Sequence, residues 1–428
     1  MNTLLRIIKK IIPEKVFLTL APLYHFLVAL LAVIVYRFPS RSITVIGVTG
    51  TKGKTSTVEV LNALLEEAGY STALAGTLRF KIGKEEFENK YKMTMPGRFF
   101  VQSFLRKAVD AKCQFVILEM TSQGVLQSRH RFISLDALIF TNLAPEHIES
   151  HGSYENYLNA KLELKKLLER SRKKNKAIIA NMDDKEGDKF LRAKVPHKYP
   201  YSLEQVAPYA STKDSLSFTF EGLTMTSHLS GVFNIQNILA SIFTAQHFGI
   251  DPSVMQKTLK KFKGIRGRLE HIEGGQDFTV IVDYAHTPDS LEKVYEVFQN
   301  SKKICVLGNT GGGRDTWKRK EMAKIAEMHC ETIILTNEDP YDEDPRSIVD
   351  EMARAITIPK YKILMDRREA IREALHLANT GDTVLITGKG TDPYIMGPNG
   401  TKREWDDARV VRELLEEIKG EKKENNNT

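Results

Sequence analysis

The amino-acid sequence predicts an α/β protein. It reads as a doubly wound central unit with a phosphate loop (P-loop) and a C-terminal Rossmann-like α/β unit, preceded by a hydrophobic helical segment. Three observations carry this. Short apolar runs of the kind found in buried parallel strands recur along the chain. Stretches with helical apolar spacing alternate with them. One run, Ile43-Thr44-Val45-Ile46, leads into the Gly-rich turn Gly47–Thr55, after which Val58, Leu61, Leu64 and Leu65 recur at helical spacing.

In chain order, residues 1–40 form the hydrophobic segment, 41–265 the central unit and 266–418 the C-terminal unit. Residues 419–428, ending in Asn-Asn-Asn-Thr, are expected to be disordered. Central strands are expected at Phe115–Leu118, Ala137–Phe140 and Ala177–Ala180. Helices are expected over Phe99–Ala111, Tyr154–Arg172 and Asn234–Phe248, and a small antiparallel patch within Tyr201–Ser230. In the C-terminal unit, strands at Phe278–Val282, Lys303–Leu307, Thr332–Thr336 and Thr383–Thr387 alternate with helices at Ser290–Gln299, Arg319–Met328, Pro345–Ala355 and Arg367–Ala378.

A chain of 428 residues, 42% hydrophobic and 27% charged, can core two or three domains. Its net charge of +8 suits cationic clefts for a nucleotide, and no basic recognition motif argues for nucleic acid. Cys113, Cys305 and Cys330 lie far apart without metal-ligand spacing, and are read as reduced, buried thiols of a cytosolic protein. The N-terminus is unusual. Val16–Tyr36 holds no Asp, Glu, Lys or Arg, and Leu4–Ile12 before it reads as a basic amphipathic helix. Residues 1–40 are therefore expected to attach a cytoplasmic enzyme to the inner face of the membrane, as a span or re-entrant anchor. The alternative is a greasy helix packed on the catalytic unit or on a partner.

Gly50-Thr51-Lys52-Gly53-Lys54-Thr55-Ser56 has the chemistry of a phosphate cradle. Backbone N–H groups and a helix N-terminus surround an anion, Lys54 reaches the outer phosphates, and the Thr55 hydroxyl is placed for Mg²⁺. Val48 stands where the usual pattern has glycine, so the loop is a variant. Glu119 ends an apolar strand, a position suited to Mg²⁺. His147, after Thr141-Asn142-Leu143-Ala144-Pro145-Glu146, is a candidate ligand for a second metal, and Lys161 follows.

Gly47–Thr57, Glu119–Ser122, Thr141–Gly152 with Lys161, Gly231–Ala240, Asp283–Asp289 and Gly388–Asp392 occur in the order seen in the Mur ligases, and the chain resembles that family from about 43 to 415. The branch it resembles most is the UDP-N-acetylmuramoyl-tripeptide synthetases. The resemblance implies an ATP-dependent ligase of peptidoglycan precursor synthesis. Such an enzyme turns a muropeptide carboxylate into an acyl phosphate and couples an amino acid to it, mostly by positioning and charge neutralisation. It implies that Lys54, Thr55 and Glu119 serve ATP and a first Mg²⁺, that His147 binds a second, and that Lys161 is carried as a carbamate. Asn234 and Asn237 match a motif near the nucleotide, and Arg268 the arginine at the hinge into the last domain. Asp283 and His286 belong to a signature that closes over ATP. Lys54, Lys161, His147 and Arg268 are the expected catalytic residues. Thr121, Ser122, Arg129, Asp339, Tyr341, Gly388 and Asp392 are assigned to the substrates.

Departures from the family pattern bear on specificity. Where the family has Asp-Asn-Pro and then Arg or another selector, this chain has Glu338-Asp339-Pro340-Tyr341. Tyr341 cannot pair bidentately with a distal carboxylate, and the two acids favour a cation. Lysine or another diamino acid is thus expected over meso-diaminopimelate. Asp392, in Gly388-Lys389-Gly390-Thr391-Asp392, is left to hold the α-amine. Only about forty residues precede the nucleotide strand, so the family's domain for the UDP end of the acceptor is expected to be missing, replaced by a lipid-linked acceptor or a subunit of a cell-wall complex. The competing readings are a poly-γ-glutamate synthase-like or folylpolyglutamate synthase-like ligase, and an inactive ATP-binding scaffold.

Overall fold

The computed structural model describes residues 14–146, 151–313, 315–358 and 360–426. It comprises two compact units. The first takes in the chain to Pro208 with Phe218–Met225 and Phe233–Lys260; the second has Tyr209–Ser217, Thr226–Val232 and Lys261–Thr428.

The first unit begins with α1 (Glu14–Val35), β1 (Thr44–Thr49), α2 (Lys54–Glu67), β2 (Thr72–Ala75), β3 (Arg79–Ile82) and β4 (Glu85–Glu88). It continues with α3 (Arg98–Asp110), β5 (Phe115–Glu119), α4 (Ser122–Leu126), β6 (Ala137–Phe140), α5 (Tyr154–Arg170), β7 (Ala177–Asn181), α6 (Gly187–Leu191) and β8 (His197–Tyr201). The strands form one sheet in the order β4-β3-β2-β5-β1-β6-β7-β8. From β2 to β8 neighbouring strands are parallel, and β3 and β4 extend one edge antiparallel. Val45, Ile46, Val48, Val116, Ile117, Ile178 and Ile179 are buried, which is why these strands read as continuous apolar runs. The chain leaves β1 towards β2 and β5 on one side and later places β6 on the other. The carboxyl ends of β1, β5 and β6 therefore open a crevice at a topological switch point.

Helix α1 packs on α3. Ala29, Ala32 and Val33 are buried, Phe26 meets the Phe132 ring at 5.5 Å, and His25 hydrogen-bonds Arg98. Among the described residues no helix is long and apolar enough to cross a membrane. The expected span is thus not formed: one face of the apolar run is spent on packing within the unit. The basic helix expected over Leu4–Ile12 lies outside the described residues.

A small sheet, β11 (Leu223–Ser227), β10 (Leu216–Phe220) and β9 (Ala210–Ser211), falls where an antiparallel patch was expected, with β9 and β10 antiparallel. Helices α7 (Val232–His247) and α8 (Pro252–Lys261) follow.

The second unit continues with β12 (Glu270–His271), β13 (Thr279–Asp283), α9 (Pro288–Val297), β14 (Lys303–Leu307), α10 (Lys318–His329), β15 (Thr332–Leu335) and α11 (Pro345–Ala353). After these come β16 (Tyr361–Ile363), α12 (Arg367–Leu377), β17 (Thr383–Thr387), the hairpin β18 (Tyr394–Met396) and β19 (Lys402–Glu404), and α13 (Asp407–Asn426). Its sheet runs β12-β13-β17-β14-β15-β16, parallel apart from β12. Two expectations fail here. Helix α13 carries the tail to Asn426 instead of leaving it disordered from Lys419; Arg372 on α12 reaches Glu417 at 2.7 Å and helps hold that turn. Cys305 and Cys330 form a disulfide, leaving Cys113 as the free, buried thiol. Helix α10 returns the chain so that Cys330, at its C-cap, meets the middle of β14, a proximity that a separation of 25 residues conceals.

Candidate active site

At the switch point, the turn after β1 is locked to the segment after β6. Thr51 N donates to Asn142 O (2.9 Å), Lys52 N to Asn142 Oδ1 (2.8 Å) and Thr141 Oγ1 to Lys52 O (2.7 Å). The Thr51 hydroxyl accepts from Ala144 N and lies 3.0 Å from the Tyr157 hydroxyl. Gly50 and Gly53 are required by space as well as by backbone conformation. A Cβ at Gly50 (φ 155°) would stand 1.9 Å from Thr141 Oγ1, and one at Gly53 (φ 78°) 2.2 Å from Asn237 Oδ1. Asn237 in turn donates to Asn234 Oδ1 at 2.9 Å, so α7 sets Asn237 against the mouth of the turn with Asn234 bonded to it. Gly53 caps α2, whose first turn buries Thr55 and Ser56. The Lys54 ammonium bonds the Gly50 and Thr51 carbonyls at 3.0 and 2.9 Å, and Lys52 pairs with buried Glu146 at 3.2 Å.

Lys161 projects from α5 into the same place. It is buried, donates to Gly50 O at 2.7 Å and lies 4.8 Å from the Tyr157 ring centroid. Burial, and then the Lys54 charge, hold its ammonium well below the ordinary lysine pKa. The unfolded chain therefore keeps this proton to higher pH than the folded one, and between the two pKa values stability must rise with pH. Lys161→Met should remove that dependence. In CO₂-free buffer, the wild-type-minus-variant unfolding free energy from urea titrations is expected to climb by up to about 1.4 kcal/mol per pH unit across the window below the ordinary lysine value. A flat difference would mean that the amine keeps its proton when folded.

Around these groups, Glu119 is buried at the end of β5, where it accepts from Thr77 N and Thr77 Oγ1, both at 2.9 Å. Thr121 is the N-cap of α4 and accepts from Gly124 N at 3.1 Å. Ser122 Oγ is 3.1 Å from His151 Nε2, and burial followed by the Lys161 charge keeps that imidazole below its usual pKa. His151, Tyr157 and Thr77 are the groups that the sequence did not single out. None sits at a diagnostic spacing; they meet the loop through the fold. Arg129 donates to Met95 O and to Gln127 Oε1 (2.6 Å). His147 lies outside the described residues, and among those described no three His, Cys, Asp or Glu side chains converge as a metal cage.

The second unit gathers the other predicted residues. Asp283, buried at the end of β13, accepts from Leu269 N (2.7 Å) and Ala285 N (2.6 Å), and burial raises its carboxyl pKa against the pull of Arg268. The Arg268 guanidinium lies 4.5 Å from the Tyr284 ring centroid, and His286 Nδ1 is 2.7 Å from Tyr284 O. At the ends of β15 and β17, Lys389 is fully buried, 2.9 Å from Asp339, 3.1 Å from Asp392 and 2.5 Å from Tyr394 O. Glu338, also buried, accepts from Thr310 Oγ1 at 2.8 Å and would meet a Cβ at Gly388 at 2.4 Å. Tyr341 adopts φ 53°, and its N–H donates to Met396 O at 3.1 Å. Asp339, Tyr341, Gly388 and Asp392 thus belong to one cluster. The cation that its acids were expected to recruit is supplied in large part by Lys389, which pairs with Asp339 and Asp392.

The family model described as the Mur ligase middle domain matches residues 48–245, and that described as the Mur ligase glutamate ligase domain matches 267–390. The UDP-N-acetylmuramoyl-L-alanyl-D-glutamate–2,6-diaminopimelate ligase of Syntrophomonas wolfei is 38% identical over 402 residues, covering 90% of this chain and 81% of that protein. The protein of the same name from Bacillus cereus is 33% identical with the same coverage. A solved structure of such a diaminopimelate ligase superposes with a TM-score of 0.61 at 28% identity, covering 88% of this chain and 79% of that one. Mycobacterium tuberculosis folylpolyglutamate synthase, at 15% identity and a TM-score of 0.68 over 83% of this chain and 91% of its own, shares the fold. These likenesses define an ATP-dependent ligase that forms an amide bond between an acid and an amino acid. Within that class, the chain belongs to the Mur ligase family.

Proposed function

We propose that the protein joins the amine of diaminopimelate to a muropeptide carboxylate in peptidoglycan precursor synthesis, at the expense of ATP. The observation that carries this is the glycine turn at the switch point, with Lys54 on it and the buried Lys161 hydrogen-bonded to its Gly50 carbonyl. A carboxylate is a poor acyl donor. Transfer of the ATP γ-phosphoryl group to it gives an acyl phosphate, which the amine attacks with loss of phosphate. Gly50 to Ser56 fit a phosphate chain because two positions leave no room for a Cβ and the N-terminus of α2 faces the turn. Asn234 and Asn237 brace that turn, and Lys54 neutralises the transferring group. Thr55, Glu119 and Lys161, the last as its carbamate, would hold Mg²⁺, which supplies charge neutralisation when bound. Only the neutral amine of a lysine adds CO₂, and burial holds Lys161 towards that form. Thr121, Ser122 and Arg129 would hold the acceptor, and Arg268, Asp283 and His286 would serve the nucleotide. Asp339, Gly388 and Asp392 would hold the amino acid.

Diaminopimelate is chosen because Lys389 already occupies the loop acids and because the relatives carry that name. The test is product formation read by mass spectrometry with meso-diaminopimelate, lysine and ornithine on a UDP-linked muropeptide. Diaminopimelate is expected to give at least about tenfold higher kcat/KM, about 1.4 kcal/mol of discrimination. Product from lysine alone would overturn the assignment. Tyr341→Arg should strengthen the preference for the carboxylate-bearing substrate by offering a bidentate partner.

A further inference from the structure

The outer face of α1 carries an apolar stripe that the fold leaves uncovered. Leu20, Leu23, Leu27, Leu31 and Ile34 recur every three or four residues and are 52, 57, 52, 54 and 54% exposed, with Tyr24 and Val35 beside them. Contiguous apolar surface of this kind on a soluble domain marks a place where something binds. The charges of this part of the sequence say what. Residues 1–41 hold Arg6, Lys9, Lys10, Lys15, Arg37 and Arg41 against the single acid Glu14, and no further acid occurs before Glu59. Arg37 and Arg41 are exposed just past the helix.

We propose that α1 lies in the plane of an anionic lipid bilayer, with the Leu20–Ile34 stripe among the acyl chains and Arg37 and Arg41 at the headgroups. Each cation near such a surface contributes about 1 kcal/mol, and the stripe adds apolar burial. The polar face that interfacial helices usually need is replaced here by the protein itself, since Ala29, Ala32 and Val33 are packed inward. A second copy of the chain fits worse. Pairing two stripes, in either direction, would bring together two segments that each hold six cations against the single acid Glu14. The helix is also tied to the catalytic unit: His25 bonds Arg98, Arg98 Nε donates to Gln127 O at 2.7 Å, and Gln127 Oε1 accepts from Arg129. Docking would therefore hold the Arg129 side of the unit at the bilayer.

The test is flotation of the full chain with phosphatidylcholine vesicles and with vesicles containing phosphatidylglycerol. Binding to the anionic vesicles is expected, at least tenfold above the neutral ones. It should fall at least tenfold in Leu27→Glu/Leu31→Glu and weaken in Arg37→Glu/Arg41→Glu, with cooperative melting and ligase turnover unchanged. Leu27→Ser/Leu31→Ser gives the same reading should the charged pair fail to fold. Three results overturn the proposal: no flotation with anionic vesicles, equal flotation of the Leu variants, or a vesicle-free dimer that those variants dissolve.

Discussion

Lys54→Met is expected to lower ATP-dependent product formation by roughly 10²–10³-fold, the usual loss when a charge aimed at a transferring group is removed. Stability should change little. Lys54 is half-buried, and the Gly50 carbonyl that it bonds also accepts from Lys161, so the variant should lose no more than about 1–2 kcal/mol. The two effects separate cleanly if phosphate release, product mass and thermal melting are measured on one preparation. kcat should fall more than the KM for ATP rises, because the charge matters most as negative charge redistributes between the γ-phosphoryl group and its donor. Turnover at the wild-type rate would remove the nucleotide from this turn and with it the proposed mechanism.

What the sequence revealed and what it concealed follow from the range of the interactions. β1, β5, β6 and β7 were legible because strands buried on both faces need unbroken apolar runs such as Val116-Ile117-Leu118. The turn at Gly50–Thr55 was legible because its chemistry is contiguous in the chain. β3 and β4 were missed because each is only four residues long, and β4, Glu85–Glu88, at the edge of the sheet, is exposed throughout and so has no apolar alternation to read. The Cys305–Cys330 bond, the His151–Ser122 contact and the Lys389–Asp339 pair join residues 25, 29 and 50 positions apart, and no local rule reports such a meeting. The last of these had consequences. Read alone, Glu338 and Asp339 look like acids awaiting a substrate cation; folded, they share their surroundings with a lysine from the end of β17. The apolar N-terminal run shows the opposite error. Its length suggested a span, although the small residues Ala29 and Ala32 on one face already fitted close packing against another helix.

Lys389→Met is expected to cost about 3–5 kcal/mol of unfolding free energy, the range for removing one partner of a buried ion pair. The size follows from what remains: Asp339 without its 2.9 Å partner and Glu338 beside it, both buried. The pH dependence gives an independent check. Burial and the neighbouring Asp339 charge raise the Glu338 pKa, while Lys389 opposes the rise. Without Lys389 the folded state binds its proton still more readily than the unfolded state, so stability must fall as pH increases through that window. The deficit measured by denaturant unfolding should accordingly be smaller at pH 5 than at pH 8. Adding Asp339→Asn to Lys389→Met should restore part of the loss, and the double-mutant cycle should show a coupling within about 0.5–3 kcal/mol. A stable Lys389→Met protein with a raised KM for the amino acid would mean that the lysine faces the substrate instead, and the loop acids would again be open to a cationic side chain.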